Sequence, residues 1–238
     1  DIWTVGLGGD SHVVPDQRGN FKIGPERVVP LAVASVAHPR LRERMGATGE
    51  TNYYLPVERG TAKLSPKEKE VYEFVRANPL CTLEEIRRGA PEVYTYRDVV
   101  KHLKDRGFLQ MTGLTATDFM HAQGHFTRFD VEAARLGVQF IADRTHMTVG
   151  ECLESFQQEF VTRVGEEIMR KIVLDESGEM PDGPGFNYLL RATVNGNPGS
   201  SLVLRTRLDR PLVGIGAPTP IYMPPLEERM NVKVLMPK

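Results

Sequence analysis

Ser65-Pro66-Lys67-Glu68 and Thr82-Leu83-Glu84-Glu85 each set a hydroxyl three residues ahead of a glutamate, at the head of an apolar-periodic run. Each side chain can satisfy the other residue's backbone N–H, so two helices must start in close succession. The first carries proline at its opening position, turns Val71, Phe74 and Val75 to one face and stops at Asn78-Pro79. The second runs to Arg88. A third helix is expected from about Tyr96 to Arg106, with Val99, Val100 and Leu103 inward and Gly107 as its stop. Phe108–Met111 then reads as a strand. Three short helices closed by a strand resemble a winged helix-turn-helix.

Charge argues against the DNA binding that such a module suggests. Between Lys63 and Arg106, ten Lys and Arg stand against eight Asp and Glu, and the third helix sets Asp98 and Asp105 beside Arg97, Lys101, Lys104 and Arg106. That is a solvated mixed face rather than a phosphate-binding stripe. The whole chain carries a net charge of -1, which supplies no field for nucleic acid or an anionic membrane. The module is therefore read as an inserted structural or docking element.

The remaining sequence sets the frame around it. With 238 residues, 40% hydrophobic and 26% charged, the chain can bury one or two ordinary cores. Cys81 and Cys152 are far apart and match no zinc or redox spacing, so a reducing, cytoplasmic compartment is expected. Apolar runs stop well short of the roughly 18 residues a membrane helix needs, so no membrane partner is expected. The chain starts at Asp1 in a strand-like run and stops at Lys238 just after another, which reads as a piece of a longer protein.

Ile2–Val5, Val13-Val14 and Phe21–Ile23 are expected to form a meander of three short strands around glycine and Asp-rich turns. The stretch from Pro30 to Leu64 has few clear signals beyond a possible strand at Asn52–Val57. Helices are expected from Thr115 through His125, from Asp130 to Ala142, and in a long amphipathic run capped by Thr148 and Glu151. Asp175–Gly185 and 195–199 read as loops, Leu202–Leu204 and Leu212-Val213 as strands, Pro225–Met230 as a short helix, and Val232–Met236 as a last strand.

Two glycine turns, Gly6–Ser11 and Gly214–Pro218, each leave a β-prone run. Glycine lets a backbone approach phosphate or purine closely and exposes N–H donors. Neither turn matches the Walker A pattern or the dinucleotide Gly-x-Gly-x-x-Gly in its strand-turn-helix setting. The run Trp3–Ser11, with Phe21–Glu26, Leu114–Asp118, Asp130–Gly137, Arg210–Pro218 and Leu226–Arg229, resembles the hydantoinase/5-oxoprolinase family, in particular its ATP-utilising A-type subunit. That family belongs to the actin-like ATPase and sugar-kinase superfamily.

The resemblance implies an α/β domain, a mixed sheet flanked by helices forming an actin/sugar-kinase-like half, interrupted by the winged-helix-like insert. Its divisions would be 1–61 for the glycine-turn strands, 62–112 for the insert and 113–238 for the helical part and adenosine-side turn. Gly8, Gly9, Asp10 and Ser11 would form the second phosphate loop, with Asp10 orienting metal or water. Gly214, Gly216 and Ala217 would be the adenosine-side turn. The implied cofactor is ATP with Mg, the implied chemistry is phosphoryl activation of a cyclic amide or carbonyl substrate, and the implied partner is a B-type subunit. The family's first phosphate loop would precede residue 1, so the missing remainder of the chain is itself an implied partner and the piece alone is expected to be inactive. Arg27–Ala32 replaces the small-residue, proline-rich run usual after the Gly-Pro-Glu block. An alternative is a regulatory or assembly module that keeps the ATPase-like fold without catalysis and docks a protein through the three-helix insert.

A second constellation is Asp118, His121 and His125 at D-x-x-H-x-x-x-H spacing on one expected helix. One helical face would then carry a carboxylate and two imidazoles, with Asp10 and His12 able to complete a shell for Zn or another transition metal. Ala122 follows the first histidine where a zincin needs Glu, so protease chemistry is disfavoured. The competing reading makes Asp118 a cap near the helix start and packs the histidines on Phe119 and Phe126.

Overall fold

The computed structural model describes residues 2–16, 19–60, 63–180, 182–195, 201–216 and 219–237. It is a mixed α/β chain built on small sheets, and its contacts divide it into two units, Gly8–Leu153 and Asp1–Leu7 with Glu154–Lys238.

In the first unit β1, Ser11–Pro15, pairs antiparallel with β2, Phe21–Arg27, with a register shift between Ser11 and Val13. The expected meander is thus a two-stranded hairpin: Ile2–Val5 is β-prone but forms no strand, because a strand needs a partner to take its backbone groups. A short β3, Val29–Pro30, leads into α1, Leu31–Ala37, and then α2, Leu41–Thr48. Neither helix was expected. The chain returns through β4, Tyr53–Pro56.

The three-helix segment follows as α3, Pro66–Ala77, α4, Leu83–Gly89, and α5, Tyr96–Asp105. Both capping boxes form as the spacing requires, Ser65 with Glu68 and Thr82 with Glu85. The strand after them, β5 at Leu109–Gly113, sits between the other two, parallel to β3 and antiparallel to β4. Val71, Val75, Ile86, Val100 and Leu103 from the helices share one buried cluster with Val28, Tyr54, Leu109 and Met111. Each such side chain gives about 1.5–3 kcal/mol on burial. The segment is therefore packed into the unit's core, and the boundaries expected at 61/62 and 112/113 both fall inside Gly8–Leu153. At Gly89 a β-carbon would lie 1.9 Å from the Phe74 ring, so α4 packs on α3 through a bare backbone.

The unit closes with α6, Ala116–Ala122, and α7, Val131–Thr145, and the long α8, Val149–Ser177, begins at the Thr148–Glu151 capping box. The helix expected through His125 stops at Ala122, and Gly124 beyond it has a φ of 77°, a left-handed conformation that ends helices.

The second unit holds the rest of α8, then α9, Pro184–Asn195, inside a stretch expected to open as a loop, and β6, Leu212–Val213. After it come α10, Thr219–Tyr222, α11, Pro224–Met230, and β7, Val234–Leu235, parallel to β6. Leu202–Leu204 forms no strand. The core here is Phe156, Phe160, Leu190, Val194, Tyr222, Leu226 and Met230, with the Tyr222 ring centred 4.1 Å from that of Phe160. Among the described residues no helix is long and apolar enough to cross a membrane.

Glu68 of α3 ties that helix electrostatically to α5, since its carboxylate accepts from the Ser65 backbone N–H at 2.7 Å and from Arg106, at the end of α5, at 2.7 Å, with His102 Nδ1 at 2.9 Å. The Ser65 amide first, with the Ser65 hydroxyl and Arg106 behind it, holds this carboxyl at about 2 rather than the usual 4.5. A carboxyl depressed in the folded state stabilises the fold above its unfolded pKa and loses that contribution as pH falls toward the folded one. Acid titration of stability from about pH 4.5 to about pH 2 is therefore expected to be shallower in Glu68→Gln than in the parent, with urea midpoints at each pH as the measurement.

Candidate functional site

The Gly8–Ser11 turn closes on itself. The Gly8 N–H donates to Ser11 Oγ at 2.7 Å, and the Ser11 N–H returns to the Gly8 carbonyl at 3.1 Å. Gly9 lies against the start of α6: its carbonyl accepts from the Thr117 N–H at 3.0 Å, and a β-carbon on it would stand 2.7 Å from Thr117 Oγ1. Any larger residue would force either the Thr117 hydroxyl or the turn to shift. Among the described residues the N–H groups of Gly9 and Asp10 have no hydrogen-bond partner, so the turn presents two successive free donors. Such a pair of donors suits a phosphate oxygen.

Asp10 does not stand free. Arg27 on β2 holds one oxygen of its carboxylate, Oδ2, between two guanidinium nitrogens in a fork, with Nε at 2.7 Å and Nη2 at 2.6 Å. Arg27 is 74% exposed and the Asp10 side chain 36%, so the pair is worth less than about 1 kcal/mol and can be displaced. Arg27 is the first residue of the stretch that departs from the family's usual run, and that departure was the one sequence signal for it.

Asp118 is wholly buried and accepts four hydrogen bonds: from the Thr115 N–H at 2.8 Å, the Thr115 hydroxyl at 2.9 Å, the Leu31 N–H at 3.2 Å and the Ala32 N–H at 2.8 Å. Two helix N-termini, those of α6 and α1, thus end on one carboxylate, whose charge suits their positive ends. Burial pushes this carboxyl up to about 6, against the pull of those donors. Its oxygens are committed to capping.

His121 is also committed. Its Nδ1 lies 2.7 Å from the Thr117 carbonyl, which can only accept, and its Nε2 lies 3.2 Å from the Phe129 N–H, which can only donate. One nitrogen carries its hydrogen to a backbone oxygen and the other gives its lone pair to a backbone amide, leaving neither for a metal. The ring packs between Phe126 and Phe129. His125 lies beyond the end of α6 and is exposed, so the expected single helical face does not exist. His12 faces elsewhere, with Nε2 3.1 Å from Asn52 Oδ1 and Nδ1 3.5 Å from Glu26, and burial lowers its pKa. Among the described residues no group of three or more His, Cys, Asp or Glu side chains converges as a ligand set. The Asp118, His121, His125, Asp10 and His12 set thus does not fit a transition metal.

In the other unit the Gly214 N–H donates to the Leu235 carbonyl at 2.9 Å, fixing the turn to the end of β7. Thr219 closes it, with N–H at 3.2 Å and hydroxyl at 2.6 Å from the carbonyl of Gly216, whose φ is 118°. Ala217 and Pro218, the end of the expected adenosine-side turn, lie outside the described residues, as do 196–199 of the expected loop.

No protein-family model, curated protein or solved structure matches this chain.

The roles of the two aspartates separate by stability. Asp118→Asn leaves an amide NH2 facing backbone donors and is expected to cost about 1.5–3 kcal/mol, whereas Asp10→Asn costs under about 1 kcal/mol; urea unfolding of both variants measures the difference. A small loss at Asp118 would remove it as the shared cap.

Proposed function

We propose that this chain is part of an ATP-dependent enzyme of the hydantoinase/5-oxoprolinase type, a half of an actin/sugar-kinase-like fold that activates a cyclic amide or carbonyl by phosphorylation. One observation carries the reading. The blocks Gly8–Ser11 and Leu114–Asp118 carry the resemblance and lie about a hundred residues apart, yet they bond to each other to build a single turn and its backing, and Asp130, which opens a third such block, joins them through Ala32. Thr117 seats Gly9, the Leu114 carbonyl takes the Val13 N–H at 2.8 Å, and the Asp130 N–H donates to the carbonyl of Ala32, the residue whose own N–H Asp118 holds. What the resemblance would need is a glycine turn with free amides on rigid support, and that is what these residues make.

The expected pair of phosphate donors was Gly8 and Gly9, but the Gly8 N–H is taken by Ser11 Oγ, so in this reading the N–H groups of Gly9 and Asp10 would hold phosphate oxygens, and the Asp10 carboxylate, released by Arg27, would orient the magnesium or the attacking water. Bound Mg·ATP supplies the phosphoryl group and the charge neutralisation that its transfer requires. Donors fixed before the reaction stabilise charge that grows on those oxygens, which is worth about a hundredfold or more in rate per donor or charge.

The Arg27 fork favours a second reading, a docking or assembly module in which Asp10 is a structural ion-pair partner. Deleting 65–110 would not test it, because Val28, Tyr54 and Met111 would lose the core they share with those helices. Tyr94, 87% exposed ahead of α5, is the cleaner probe.

In the protein that carries this chain, Asp10→Asn is expected to lower phosphate release from Mg·ATP in the presence of hydantoin or 5-oxoproline about a hundredfold, with an unchanged circular dichroism spectrum. Unchanged turnover in Asp10→Asn would sink the enzyme reading. Loss of a co-purifying partner in Tyr94→Ala with turnover intact would favour docking.

A further inference from the structure

Beside β2, in the first unit, a cleft of about 490 Å³ opens between the strand end and the face of α5. Its size is that of a small-molecule site. Pro25, Leu83 and Val100 give it an apolar floor. Around them three cations, Arg97, Lys101 and Lys104, face two carboxylates, Glu26 and Asp105, leaving one positive charge in excess.

Most of those charges are already matched. Lys104 meets Glu26, and Lys101 donates to Asp105 at 3.0 Å. Arg97 is different: among the described residues its guanidinium has no ion pair or hydrogen bond and only rests over the Tyr96 ring, 5.6 Å from its centre. Tyr54 lines the same cleft, is 6% exposed, and its hydroxyl likewise has no hydrogen-bond partner among the described residues. Burial carries this phenol up to about 12, so at neutral pH it is a donor. That hydroxyl opens to the cleft rather than being sealed in the interior, and an arginine fork with no anion beside it leaves a ready bidentate site.

We propose that this cleft binds a small carboxylate-bearing molecule, its carboxylate taken by Arg97 and the Tyr54 hydroxyl and its apolar part laid on Pro25, Leu83 and Val100. The two donors come from different parts of the unit, Tyr54 from β4 and Arg97 from the three-helix segment, and Glu26 in the wall is the neighbour of Arg27, which holds Asp10. A ligand here would report to the glycine turn through β2. The site is independent of the ATP-utilising reading and stands if that reading fails.

Saturation-transfer NMR on the 238-residue chain tests it, with benzoate and 3-methylbutanoate as probes, benzamide and 3-methylbutanamide as their uncharged counterparts, and inorganic phosphate as the competing anion. Both carboxylates are expected to bind saturably and the amides about tenfold more weakly or worse. Arg97→Gln, at an exposed position, and Tyr54→Phe, which keeps the ring in the core, are each expected to weaken carboxylate binding about tenfold. No saturable binding, equal binding of acid and amide, or binding indifferent to both substitutions overturns the proposal. Phosphate binding more tightly than either carboxylate, and lost in the same variants, overturns the assignment to carboxylates.

Discussion

One carboxylate organises the first unit. Asp118 ends two helices that belong to separate stretches of chain, taking the Leu31 and Ala32 amides of α1 and the Thr115 amide and hydroxyl of α6. A helix start leaves several N–H groups without intrahelical partners, and in a dry interior no water relieves them. A charged acceptor reached by four donors answers both ends at once, and it fixes α1 against α6. Since Thr117 of α6 also seats Gly9, the position of the glycine turn follows from the same cap. Asp130 repeats the device on a smaller scale, capping α7 while accepting from Ser35 of α1 at 2.6 Å.

This explains which elements the sequence announces. The helices α3, α4 and α8 carry their acceptors within three residues of their own starts, so Ser65-x-x-Glu68, Thr82-x-x-Glu85 and Thr148-x-x-Glu151 mark them directly. Nothing local marks α1: Leu-Ala-Val-Ala-Ser-Val-Ala follows a proline, is apolar nearly all round, and takes its cap from a residue some 87 positions away. A continuous apolar run of that length does not distinguish helix from buried strand, and the deciding interaction is tertiary. Ile2–Val5 fails in the opposite sense, having strand propensity without a neighbour to pair with.

The candidate site divides along the same line. The glycine turn with Asp10 and Ser11 could be read from the chain, because tight turns and close approaches restrict residue type where they occur. The histidine face could not survive, because a periodicity argument presumes a continuous helix and Gly124 interrupts it between His121 and His125. Glycine there was the available sign. With the face gone, the D-x-x-H spacing has another cause: Asp118 caps, and His121, one turn on, bridges the Thr117 carbonyl to the Phe129 amide where the chain leaves the helix.

Partners across the fold were beyond any reading of local pattern. Arg27 and Glu26 are adjacent on β2, and strand geometry sends neighbours to opposite sides. Arg27 goes to Asp10, while Glu26 lies between His12 and Lys104. His12 is drawn in two directions. Both of its ring nitrogens face oxygens, which favours a doubly protonated ring, yet burial lowers its pKa and the Lys104 charge acts in the same sense. The group that eases this conflict is Glu26, whose own carboxylate is shared with Lys104 of α5. The strand that restrains Asp10 at one residue therefore carries, at the next, the link from the three-helix segment to the buried histidine beside the turn, and a change in α5 has a short route to the Asp10 carboxylate, two ion pairs joined by one step of the β2 backbone.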